Sequence, residues 1–162
     1  MEIERKFTVT ALPDNLESYP SHLIEQGYLN TNPVVRVRRE DDTFYMTYKG
    51  SGMIAREEYN LPLTLQAYDH LKGKCDGNII TKVRYLIPHK EPVFKDGFLP
   101  PDGLSLTIEL DVFKGVFEGL VIAEIEFPDI ETANALVPPD WFSEDVSEKK
   151  EYHNSYLSSL IL

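Results

Sequence analysis

Positive side chains recur at alternate positions of short segments: Arg36 with Arg38, and Lys82 with Arg84, while Lys6, Lys49 and Arg56 stand singly among alternating neighbours. Carboxylates follow the same spacing, in Glu2 with Glu4, Glu109 with Asp111, and Glu124 with Glu126, and Glu58 stands two residues after Arg56. Arginine and lysine gathered on one surface bind phosphoryl oxygens, and each guanidinium can hold two oxygens at once. Clustered carboxylates are hard-oxygen ligands for Mg²⁺ or Mn²⁺. A small ligand carrying both anionic groups and a divalent ion would satisfy both sets.

Residues i and i+2 share a face only in a strand, so the spacing predicts strands that hold these groups. The complementary faces are apolar: Ile3 and Phe7, Val35 and Val37, Phe44 and Met46, Leu110 and Val112, Ile125 and Phe127. Eight strands are predicted, over Glu2–Val9, His22–Leu29, Val34–Glu40, Thr43–Lys49, Ile54–Leu61, Ile79–Ile87, Leu104–Phe113 and Leu120–Phe127. Turn-forming stretches such as Asn32-Pro33, Gly50-Ser51-Gly52 and Asp76-Gly77-Asn78 divide them, and the short gaps imply antiparallel pairing. Helices are predicted for Leu63–Lys72, for a turn from Asp129 to Leu136, and from Ser147 to the C-terminus. The Pro88–Gly103 stretch reads as loop.

A charged face on one strand needs no explanation beyond solvent. Same-sign neighbours repeated over five strands do, because like charges on one face repel. Closing eight strands into an antiparallel barrel turns that face into a lumen with room for side chains and one small ligand. The apolar face then points outward beneath the helices. The expected class is mainly β (α+β), a closed eight-stranded barrel with peripheral helices, in a single domain over residues 1–162. Arg5 and Arg39 have the opposite parity and fall outside the lumen.

The chain has 162 residues and a net charge of −11, from 16 basic and 27 acidic side chains. The average field of so acidic a protein repels nucleic acid and anionic membranes, so neither is expected as a partner. Cys75 is the sole cysteine, which excludes an intrachain disulfide and cysteine-rich zinc modules. Met1–Phe7 carries charge at four of seven positions, unlike a signal peptide, and no stretch approaches the roughly 20 apolar residues of a membrane span. A cytoplasmic location is expected. The proposed lumen takes seven cations and seven acids, so it is formally neutral, and the whole net charge belongs to the remaining 9 basic and 20 acidic side chains.

Glu2-Ile3-Glu4-Arg5-Lys6 resembles the ExExK signature of the CYTH proteins, the triphosphate tunnel metalloenzymes. Later segments continue the resemblance in order: Gln26-Gly27-Tyr28-Leu29, Val35 to Arg39, Tyr48-Lys49-Gly50, Arg56-Glu57-Glu58, Lys82-Val83-Arg84-Tyr85, Glu109 to Phe113, and Ala123 to Phe127. The likeness runs from Met1 to about Asn154 and implies an eight-stranded tunnel. It implies metal binding by Glu2, Glu4, Glu124 and Glu126, with Mg²⁺ or Mn²⁺ as cofactor. By the same likeness, Lys6, Arg36, Arg38, Lys49, Arg56, Lys82 and Arg84 would line a triphosphate path. Glu58 and Asp111 would anchor cations or orient water, Lys6 is also a catalytic candidate, and Tyr28 is a candidate proton acceptor. Asn60 departs from the second acid some members carry, and the segment from Val146 to Asn154 fits the family's ending only loosely.

The activity implied is metal-dependent hydrolysis of inorganic triphosphate to diphosphate and phosphate. Class IV adenylyl cyclases and thiamine or nucleoside triphosphatases share the same strand motifs and stand as alternatives. A noncatalytic polyphosphate-binding module is a further one, disfavoured by the four-glutamate set.

Overall fold

A computed structural model describes residues 1–162. In chain order the strands are β1 (Glu2–Val9), β2 (Ser21–Thr31), β3 (Val34–Glu40), β4 (Thr43–Lys49), β5 (Ala55–Arg56) and β6 (Glu58–Pro62). Helix α1 (Leu65–Lys72) precedes β7 (Asp76–His89), β8 (Val93–Phe94), β9 (Leu106–Lys114) and β10 (Val121–Glu126). Helix α2 (Ile130–Ala135), β11 (Leu136–Val137), β12 (Phe142–Asp145) and α3 (Asn154–Ser159) complete the chain.

One antiparallel sheet runs β12-β1-β10-β9-β7-β2-β3-β4-β6, and β5 is a further neighbour of β1. The expected strand over Ile54–Leu61 is two strands. β5 pairs with β1 through Glu2↔Arg56 and Ile3↔Ala55, β6 pairs with β4 from Lys49↔Glu58 to Tyr45↔Pro62, and only Glu57 separates them. The edge of β1 turned away from β10 is shared, its first residues facing β5 and its last, Phe7 and Val9, facing β12. β8 and β11 form a separate two-stranded sheet inside what reads from sequence as loop.

The register converts the charge lists into cross-strand pairs. Lys6 lies opposite Glu124, Arg84 opposite Asp111, Glu2 opposite Arg56 and Lys49 opposite Glu58. Opposite charges facing across a ladder stabilise it, so repulsion along these strands is answered by the strand beside them, whereas Arg36 and Arg38 of β3 face only Tyr28, Thr47, Gln26 and Tyr45. Glu4 with Glu126 and Glu109 with Glu124 are the exceptions, like-charged pairs directly opposed.

The apolar face holds the main core. Ile3, Phe7, Leu110, Ile125 and Phe127 pack with Ile87, Leu106, Ile108, Ala133, Leu136 and Phe142. Asp129 accepts a hydrogen bond from Thr132 N and starts α2 over this face, and Thr64 caps α1 in the same way through Ala67 N. Helix α1 seats Tyr68 against Phe44, ring centroids 5.5 Å apart. Cover is incomplete, since Tyr48, Tyr59 and Leu61 on the outer face of β4 and β6 are exposed.

The expected helix from Ser147 is a 3-10 turn over Lys150–Tyr152 followed by α3, and it does not cover the outer face. Leu157 of α3 instead packs with Tyr28, Val34, Ile80, Phe113 and Ile122, whose strand positions share the parity of the charged list. The inner face is therefore charged along most of its length and apolar at one end, where α3 seals it. Asn78 Nδ2 donates to the carbonyls of Leu157 and Leu160, which satisfies the end of the helix. Gly77, at φ +71, permits the close approach, because a Cβ there would stand 2.0 Å from Ser158 O.

Candidate active site

The charged face bounds a cavity of about 240 Å³. Every sequence-derived candidate lines it except Asp111: Glu2, Glu4, Lys6, Tyr28, Arg36, Arg38, Lys49, Arg56, Glu58, Lys82, Arg84, Glu109, Glu124 and Glu126. Arg5 and Arg39 lie outside, Arg5 bound to Asp145 and to the carbonyls of Ala133 and Leu136. Lys149 pairs with Glu144 on the surface, away from the cavity.

One wall, from β1, β7, β9 and β10, is internally paired. Asp111 is 0% exposed and sits behind the lining, where it accepts from Lys82 Nζ at 2.6 Å and from Arg84 Nε at 2.7 Å. Arg84 also reaches Glu109 at 2.9 Å and Glu124 at 3.3 Å, and Lys6 Nζ meets Glu124 at 2.9 Å. Burial raises a carboxylate, but Lys6 and Arg84 outweigh it and hold Glu124 well below its ordinary range. Burial likewise opposes the Lys6 charge, and Glu124 with Glu4 overcomes it, so the Lys6 ammonium is raised. Burial prevails elsewhere: Glu109 is pushed up to about 7, and Lys82 is held down to about 7 despite Asp111.

The facing wall, from β2, β3 and β4, carries buried arginines with neutral partners. Arg36 donates to Thr47 Oγ1 at 3.1 Å, and its Nε has no partner. Arg38 donates to Gln26 Oε1 at 2.8 Å and to Tyr45 Oη at 3.3 Å. Neither has a carboxylate within ion-pair distance, and burial together with the neighbouring Arg38 lowers Arg36.

Between the walls, Glu2, Glu4 and Glu126 crowd one another. Burial, then Glu2 and Glu4, raises Glu126, and burial raises Glu2 although Lys49 Nζ stands 2.8 Å from it. Carboxylates that repel this way are the donor set a divalent cation relieves, and their hard oxygens suit Mg²⁺ or Mn²⁺. With Glu2 turned to Lys49 and Glu124 to Lys6, no three acidic groups converge on a common point at coordinating distance.

Several lining or supporting residues escape a search for charge: Gln26, Tyr45, Thr47, His153, Asn154 and Ser155. Parity finds the first three, since Gln26 shares the face of Tyr28, and Tyr45 and Thr47 that of Lys49. Asn154, which accepts from Lys82 Nζ at 3.2 Å, is brought in by α3 and carries no such signal.

A CYTH domain model matches residues 1–158. An inorganic triphosphatase of Nitrosomonas europaea is 35% identical over 161 residues, covering 97% of this chain and 96% of that protein. An inorganic triphosphatase of Acetivibrio thermocellus is 36% identical over 162 residues, covering 96% and 92% respectively. The crystal structure of an inorganic triphosphatase superposes with a TM-score of 0.67 at 32% identity, over 99% of this chain and 96% of that one. Whole-chain likeness, together with a charged cavity built at the positions of the ExExK and later motifs, makes this chain a member of the CYTH family.

Proposed function

We propose that this chain is a metal-dependent inorganic triphosphatase that hydrolyses tripolyphosphate to diphosphate and phosphate. The observation that carries the reading is the pair Arg36 and Arg38, buried cations with no acidic partner. A desolvated charge left unpaired is unfavourable, and an anionic ligand removes the penalty. The names of the relatives and the small cavity point the same way, since pockets for larger ligands run from about 300 to 1,000 Å³.

The site is read as the lumen of a closed eight-stranded barrel in a single domain. Supporting closure, β5 and β6 continue one another across Glu57 while pairing with β1 and β4, the two sides of the gap. Cavity residues from strands all along the sheet support it too. No helix is long and apolar enough to cross a membrane.

In this reading Arg36, Arg38, Lys49 and Arg56 bind nonbridging oxygens from one side, and Lys6, Lys82 and Arg84 face them from the other. Phosphoryl transfer needs little covalent help, because positioning and charge stabilisation supply most of the rate. Asp111 orients Lys82 and Arg84, and Glu58 steadies the cationic end near Lys49. Glu2, Glu4, Glu124 and Glu126 would hold Mg²⁺ or Mn²⁺, which when bound polarises phosphoryl oxygens and water. Water adds to a terminal phosphorus as the bridging P–O bond breaks, the electron pair of that bond and one water proton leave with diphosphate, and the remaining hydroxyl completes the phosphate product.

The test is phosphate release from tripolyphosphate, ATP and thiamine triphosphate, each with Mg²⁺ and with EDTA. Metal-dependent turnover strongest on tripolyphosphate is expected. Cyclic AMP as the main product from ATP, or undiminished turnover in EDTA, would overturn the proposal.

A further inference from the structure

Gln26 is uncharged, 0% exposed and set on β2 between two cavity-lining residues, Arg38 and Tyr28. Its Oε1 accepts from Arg38 Nε at 2.8 Å, and its Nε2 donates to Tyr28 Oη at 3.0 Å. The direction of this chain is imposed by chemistry. A guanidinium has donors only, so the oxygen of the amide must face Arg38. The other end then presents N–H to Tyr28, and the phenol oxygen must accept.

That bond is the only one the Tyr28 hydroxyl makes within the protein. Tyr28 lies on the cavity wall, 3% exposed, within electrostatic range of Lys6 and Arg36. A charged lysine or arginine cannot accept a proton. The hydroxyl hydrogen is therefore left for whatever occupies the cavity.

We propose that Gln26 is a positioning residue that fixes Tyr28 as a hydrogen-bond donor to a phosphoryl oxygen, in place of the proton-accepting role the family resemblance implies. The same amide holds the Arg38 guanidinium, so one neutral side chain aligns two donors on the substrate. The inference rests on the triphosphatase reading.

Gln26→Glu separates direction from shape. It keeps the size and still accepts from Arg38, but a carboxylate at this position accepts the Tyr28 proton and withdraws it from the cavity. With tripolyphosphate and Mg²⁺, kcat is expected to fall roughly 10- to 100-fold, the worth of a hydrogen bond to a charged group. Tyr28→Phe should fall comparably, and adding Gln26→Glu to Tyr28→Phe should lower kcat no further, whereas any change in KM through Arg38 should appear in both backgrounds. Gln26→Met, which bonds neither partner, is read in the same two backgrounds should Gln26→Glu fail to fold. An unchanged kcat, or an equal loss with and without the Tyr28 hydroxyl, would overturn the role of Gln26. Absence of turnover in the unmodified chain would instead overturn the triphosphatase reading.

Discussion

The two walls of the cavity carry the same kinds of cation and treat them differently. On β7, β9, β10 and β1, Lys82, Arg84 and Lys6 stand within 2.6–3.3 Å of Asp111, Glu109 and Glu124. On β3, Arg36 and Arg38 have Thr47, Gln26 and Tyr45 instead. A paired wall stabilises the empty protein and offers a ligand little new. An unpaired wall burdens the empty protein and rewards an anion that enters. Under the proposed function the contrast divides labour, the first wall holding its strands together and the second supplying affinity for the anion.

The largest effect is expected on the paired wall. Asp111→Ala strands two buried cations and should remove about 3–5 kcal/mol of stability. For a chain of this size that lowers the melting temperature by roughly 10 °C, which calorimetry would read. A melt within about 2 °C of the parent would show that Glu109 and Glu124 compensate alone, and the division would be less sharp than drawn.

Next in size is the unpaired wall. Arg36→Met removes a buried charge that has one neutral partner, so the empty protein should melt no lower than the parent. Hydrolysis of tripolyphosphate should nevertheless fall roughly 10²–10³-fold in kcat, as for loss of one preorganised donor. A destabilisation equal to that of Asp111→Ala would erase the comparison.

The smallest effect probes the edge of the paired wall. Burial lifts Glu109 from 4.5 to about 7, so between those values the folded chain holds a proton the unfolded chain has released. This stabilising contribution is full below the unfolded value and is lost as pH rises through about 7. Glu109→Gln does not titrate, and its urea midpoint in EDTA should gain on the parent's as pH rises across that window. Midpoints that stay parallel would place Glu109 among the fully compensated acids.

Membership of the cavity face, though not the contrast between its walls, was readable before folding, for a specific reason. Period-two spacing put Arg36, Arg38, Lys82, Arg84, Glu124 and Glu126 on one face whatever the details of pairing. The same parity also pointed to Gln26, Tyr45 and Thr47, which a search for charge passes over. The break at Glu57 was not legible as a strand end, because Arg56, Glu58 and Asn60 keep one polar face across it and only the competing edges of β1 and β4 divide it. β12 is four residues long and finds its partner β1 more than 130 positions earlier, so no local pattern announces it. The inward turn of Leu157 depends on Gly77 and Asn78, residues that read as an ordinary turn.

The sequence by itself determined which side chains share the interior, since strand geometry sends alternate residues to the same face. It also determined the chemistry available there, cations for phosphate and carboxylates for a hard metal. Only the tertiary structure decided which cations meet an acid and which are left without one, because that follows from register between strands distant in the chain. Tertiary structure also fixed the direction of the Arg38–Gln26–Tyr28 hydrogen-bond chain, since a donor and an acceptor acquire an order only when three side chains are brought into contact.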